Sequence, residues 1–190
     1  SASLAPQSAA RVPFTRFTLT AGGDGDVIVN SVTVERTGLA SDSVFAGIIL
    51  LDETGKQLGI SRTFGSDHRG TVGESVTIPR GTTKTFTVAG NMAASLTARA
   101  GEVATLSVVS INTSAAVSGV LPITGAAHTI NATLAIGTVT NERGSSDPNG
   151  AQTKNVGDTG VTFSAIKVTA GSQEKVRLHS IRWNQASSAG

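Results

Sequence analysis

Val12-Pro13-Phe14-Thr15-Arg16-Phe17-Thr18-Leu19-Thr20 runs through Ala21-Gly22-Gly23-Asp24-Gly25-Asp26 into Val27-Ile28-Val29-Asn30-Ser31-Val32-Thr33-Val34. β-Branched and aromatic side chains fit a pleated, half-buried surface, whereas Gly and Asp supply the backbone freedom and local hydrogen bonds of turns. The segment therefore reads as two strands, Phe14–Thr20 and Val27–Val34, joined by a polar hairpin turn. The same alternation continues outward, with strands predicted at Phe45–Leu51, Gln57–Ile60, Ser75–Ile78, Lys84–Val88, Val103–Ile111 and Thr129–Val139. Asp52-Glu53-Thr54-Gly55 is a hairpin turn with Gly55 available for positive φ, and Pro79 ends a strand because it cannot donate to a ladder. The one helical candidate, Met92–Arg99, is short and stops before Gly101. Many short strands with turn signals between them predict an all-β chain built as an antiparallel two-sheet sandwich. Its core is expected to bury Phe17, Val32, Ile49, Phe86, Leu106 and Leu134.

The chain also repeats itself. Slid 149 residues along its own length, so that Val12 meets Val161, the segment Val12–Ala40 aligns without a gap on Val161–Ala189. Phe14, Thr20, Ala21, Gly22, Val27 and Ser31 meet Phe163, Thr169, Ala170, Gly171, Val176 and Ser180, and apolar character is kept at Phe17/Ile166, Leu19/Val168, Val29/Leu178, Val32/Ile181 and Val34/Trp183. In both copies the apolar parity slips after the first Phe, and again between Val29 and Val32 or Leu178 and Ile181. A one-residue slip turns side chains to the other face unless a bulge absorbs it, so two bulges per copy are expected. Asn141–Gly160 has the Gly, Ser, Asp, Pro and Asn of a linker. The expected organisation is a sandwich module over residues 1–139, a linker over 140–160, and an incomplete second β module over 161–190 holding the first two strands of the repeat.

Composition removes several function classes. The formal net charge is +2, and the 15 Lys and Arg are scattered singly without interleaved aromatics, unlike a nucleic-acid surface. There is no cysteine, which excludes disulfides and thiolate metal sites. The longest apolar run, Val44–Leu51, is too short for a membrane helix, so no direct membrane insertion is expected.

The candidate chemistry is sparse. His68, His128 and His179 have no metal-ligand spacing, and Ser66-Asp67-His68 reads as a solvated turn, there being no G-x-S-x-G elbow. Asp24 and Asp26, on a flexible Gly-rich loop, are the best oxygen donors for calcium, the only cofactor the pattern admits. Against it, Asp24 and Asp26 align with Gln173 and Lys175 in the second copy, which favours an ordinary polar turn. The glycines form no phosphate-binding fingerprint. Trp183, the only Trp, aligns with Val34 and reads as a core or interface anchor. In the second copy Phe163, Ile166, Val168, Leu178, Ile181 and Trp183 make an apolar face that two strands alone cannot bury, and they are the expected assembly interface.

Phe14 to Gly22, Val32-Thr33-Val34-Glu35-Arg36-Thr37-Gly38-Leu39, Phe45 to Leu51 with the Asp52–Gly55 turn, Leu121-Pro122-Ile123-Thr124-Gly125 and Asn131–Val139 together resemble the repeated modules of bacterial S-layer and other large cell-surface proteins. The resemblance implies an Ig-like sandwich in a secreted, array-forming protein, without catalytic residues and sometimes with calcium. The expected function is a structural, extracellular surface module acting by self-association, with another copy as its main partner and a cell-wall glycan as a further one. Two other readings stand beside it: an adhesin or carbohydrate-binding module, and an accessory domain of a secreted enzyme.

Overall fold

The computed structural model describes residues 3–134, 136–171, 175–178 and 180–184. Its strands are β1 (Ser3–Pro6), β2 (Val12–Thr20), β3 (Val27–Gly38), β4 (Phe45–Leu51), β5 (Gln57–Arg62), β6 (Arg69–Val72), β7 (Val76–Ile78), β8 (Thr83–Met92), β9 (Val103–Thr113), β10 (Ile123–Thr124), β11 (His128–Asn131), β12 (Val139–Arg143) and β13 (Ile166–Ala170). Helical structure among the described residues is confined to single 3₁₀ turns at Asp42–Val44 and Thr97–Arg99, the second in place of the predicted helix. Among the described residues no helix is long and apolar enough to cross a membrane. The chain divides into two compact units, Ser1–Leu134 and Ala135–Gly190.

The first unit is a two-sheet sandwich. One sheet runs β2-β8-β4-β5, all antiparallel; the other runs β1-β11-β9-β3-β6, with β10 also on β9 and β7 also on β3. Among the described residues only β1 and β11 pair in parallel. Phe17, Ile48, Leu50, Leu58, Phe86 and Val88 of the first sheet and Val29, Val32, Val34, Val72, Ile78, Leu106, Val108 and Ile130 of the second form one buried cluster. Phe17 stacks on Phe86 with ring centroids 5.6 Å apart. Because successive strand residues point to opposite faces, Ile49 and Leu51 lie outside this cluster and make a second one with Ala89.

The predicted Phe14–Val34 hairpin does not form: β2 pairs with β8 in one sheet and β3 with β9, β6 and β7 in the other. Residues 21–26 cross between layers. β8 lies between β2 and β4 in one sheet, and β3 lies between β9 and the strands β6 and β7 in the other. β8 and β9, consecutive in sequence, lie in opposite sheets. Alternation fixes which face of a strand is buried, and two strands of the same pattern serve either layer.

Both parity slips of the first copy are observed. The β2 register shifts against β8 between Pro13 and Thr15, and the β3 register shifts against β9 between Val29 and Ser31. At the first bulge the Phe14 carbonyl accepts the Ala126 amide at 3.0 Å, the Thr15 hydroxyl donates to the Leu106 carbonyl at 2.5 Å, and Gly125 donates to that same carbonyl at 3.1 Å. A Cβ on Gly125 would collide with the Phe14 carbonyl and the Thr15 hydroxyl, so only glycine lets the two sheets meet along this edge. The Asp52–Gly55 hairpin forms as expected, with Gly55 at φ +81° and the Asp52 amide donating to the Lys56 carbonyl.

Of the expected core, Phe17, Val32, Ile49, Phe86 and Leu106 are buried, but Leu134 is exposed. The predicted Thr129–Val139 strand is interrupted there: the Asn131 side chain accepts the amides of Thr133 and Leu134, turning the backbone away from the sheet.

In the second unit β12 and β13 form a two-stranded antiparallel ribbon, Val139 opposite Ala170 and Arg143 opposite Ile166. The expected linker thus begins as a strand, and the expected partner of Ile166–Ala170 is corrected: residues 175–178 and 180–184 are not in strands. The polar composition of residues 140–143 hid β12, whose bonds are main-chain. Asp147 closes the ribbon's end, accepting the Ala165 amide and the Ser164 hydroxyl, each at 2.9 Å.

Candidate functional site

The sequence candidates are placed as follows. Asp24 and Asp26 lie on the crossover between β2 and β3, at the wall of an open cleft of about 820 Å³ that is also lined by Thr18, Thr20, Thr113 and Val117. Asp26 Oδ1 accepts the backbone amide of Arg80 at 2.9 Å, which ties the crossover to the turn after β7. The described residues contain no group of three or more His, Asp or Glu side chains arranged to hold a metal ion. Asp52, another loop carboxylate, caps its own turn instead, accepting the amides of Thr54 and Lys56.

The ionic cluster that the fold does assemble was not legible in the chain. Arg36 comes from β3, Asp42 from the 3₁₀ turn that follows it, and His68 from the turn entering β6, where its φ is +60°. Arg36 Nε donates to Asp42 Oδ1 at 2.6 Å and His68 Nδ1 to Asp42 Oδ2 at 2.6 Å. The His68 carbonyl accepts the Arg36 amide at 2.9 Å, which holds the loop onto β3. Partial burial pushes the Asp42 carboxyl up, but the hydrogen bonds from His68 and Arg36 and the guanidinium charge outweigh it, leaving the group below its ordinary range. An aspartate orienting a histidine is one half of a hydrolase triad. Among the described residues, however, no Ser or Thr hydroxyl hydrogen-bonds to His68, so the arrangement fastens a loop. Its partner is Asp42, 26 positions away, and not the neighbouring Asp67.

His128 is buried, its ring centroid 4.3 Å from that of Phe14 and its Nδ1 donating to the Ala126 carbonyl. His179 lies outside the described residues.

The expected assembly residues are all on the second unit and all solvent-exposed. Phe163 is 87% and Trp183 57% exposed, and Ile166, Val168, Leu178 and Ile181 are also open to solvent. Trp183 is therefore not a core residue of its unit. On the ribbon, cross-strand neighbours share a face, so Ile166, Val168 and Ala170 lie beside Arg143, Asn141 and Val139, with Lys167, Thr169, Glu142 and Thr140 on the other face. Lys167 Nζ sits 3.4 Å from Glu142 Oε2.

Comparison with known proteins finds no matching family model, no similar curated protein and no similar solved structure.

Proposed function

We infer that this chain is a structural surface module whose second unit mediates self-association, in the manner of an S-layer or surface-filament subunit, outside the cell. One observation carries the reading: a sandwich with its own closed core is followed by a two-stranded ribbon whose apolar side chains remain exposed. A two-stranded hairpin is marginal in water, and exposed apolar groups of this size are ordinarily covered by a partner. Removing residues 135–190 tests it: the remaining chain should unfold cooperatively and sediment as a monomer, while the full chain forms oligomers, filaments or sheets under the electron microscope. A full chain that stays monomeric overturns the proposal.

The exposed aromatic rings of Phe163 and Trp183 favour a second reading, a glycan-binding or adhesin module, because sugars stack on such platforms. Saturable binding of cell-wall glycans by a monomer, lost in Trp183→Ala, would select it.

A further inference from the structure

The internal repeat makes the two edges of β13 distinguishable. In the first unit Ala21 N donates to the Thr82 carbonyl, continuing the β2–β8 register in which Phe17 faces Phe86. Main-chain groups alternate between the two edges of a strand, so Phe17, Leu19 and Ala21 aim theirs at β8. Their counterparts in the repeat are Ile166, Val168 and Ala170. In the second unit Gly144 N donates to the Ala165 carbonyl at 2.8 Å and Gly171 N to the Thr138 carbonyl at 2.7 Å. Hence Ala165, Lys167, Thr169 and Gly171 face β12, while Ile166, Val168 and Ala170 face away from it. β12 thus occupies the edge opposite to the one that β8 takes on β2. The β8-type edge of β13 has no strand against it among the described residues.

We propose that this edge pairs with the same edge of a second copy of the chain, β13 to β13 and antiparallel, about a twofold axis through Val168. The inference rests on the self-association reading and names its seam. A β8-like donor taken from a folded neighbour would first have to leave both β2 and β4, whereas among the described residues this edge of β13 has no strand to leave. The pairing is self-complementary, as an isologous contact requires. Val168 meets Val168, Ile166 meets Ala170, and each pair exchanges both main-chain hydrogen bonds. Lys167 meets Thr169, so no like charges stand opposite one another, and its ammonium is already beside Glu142. The result is a four-stranded sheet whose two central strands set Ile166, Val168 and Ala170 side by side, flanked by Val139, Asn141 and Arg143 of each β12, and it passes the roughly three strands needed for independent stability. β12 is the poorer edge for such growth, because Glu142 and Arg143 are the kind of charged residues that guard edges.

Two substitutions in the full chain test the seam. The Val168 amide points to the free edge, so Val168→Pro removes a donor that the ribbon does not use. It should leave far-UV circular dichroism and the melting of the first unit unchanged while weakening the dimer at least tenfold by analytical ultracentrifugation. Because the natural chain has no cysteine, Val168→Cys gives an unambiguous cross-link. Residues directly opposite in a hydrogen-bonded antiparallel pair have Cα atoms about 5.5 Å apart, within disulfide reach. Mild oxidation should therefore yield a covalent dimer from Val168→Cys and none from Thr169→Cys. If the wild type assembles but Val168→Pro assembles equally well, or Thr169→Cys cross-links as readily as Val168→Cys, the seam is refuted and self-association stands. A wild type that is monomeric throughout refutes the parent reading itself.

Discussion

Replacing Asp42 by Ala removes the group that fastens the His68 loop to β3. The Arg36 side chain is only 9% exposed, and in the variant its guanidinium keeps the Gly38 carbonyl at 3.3 Å and His68 Nδ1 at 3.0 Å but loses its carboxylate. Stranding a partner that hydrogen-bonds to a charge costs about 1–3 kcal/mol, and the partial exposure of Asp42 places this case toward the lower half, about 1–2 kcal/mol. With a urea slope of about 2 kcal/mol per molar, the midpoint should fall by about 0.5–1 M. The melting temperature of a unit this size should fall by roughly 4–7 °C, given an unfolding entropy of about 2 cal/mol/K per residue. The pH dependence follows from the lowered titration of Asp42. A carboxylate whose folded pKa lies below its unfolded value stabilises fully above the unfolded value, and that contribution is lost as pH falls through the folded one. The gap in urea midpoint between wild type and Asp42→Ala, measured at pH 5, should therefore narrow as pH is lowered toward 2. Wild type itself will still lose stability in acid, because Asp52 and Glu102 are also held below their ordinary range. Equal midpoints at pH 5, or a gap that persists undiminished at low pH, would refute the reasoning.

Phe86 is fully buried against Phe17, and Phe86→Ala should destabilise the first unit by about 3–5 kcal/mol in calorimetry; Trp183→Ala should leave that transition within about 0.5 kcal/mol. Adding EDTA should leave the melting temperature unchanged, because Asp26 is engaged by the Arg80 amide and no further carboxylate joins the loop among the described residues; a fall restored by calcium would place the ion at Asp24 and Asp26 after all.

The strands, the Asp52–Gly55 turn and the two bulges of the first copy were legible because each depends on local chemistry. The period of two, the turn residues and the parity slips after Phe14 and Val29 are properties of neighbouring positions. The composition likewise determined that the fold has no disulfide to lean on. Neighbourhood in space was decided elsewhere. Phe14–Thr20 and Val27–Val34 carry the same pattern whether they pair with each other or cross between sheets, and only the need to cover both faces of the core assigns them to β8 and β9. The Arg36–Asp42–His68 cluster was illegible for the same reason, since the winding alone brings residue 68 onto β3. Polar residues 140–143 gave no strand signal, because a ribbon held by main-chain hydrogen bonds asks little of side chains. The repeat in the sequence aligns β13 with β2, but only the main-chain direction in the folded ribbon decided which of its edges has no strand against it among the described residues.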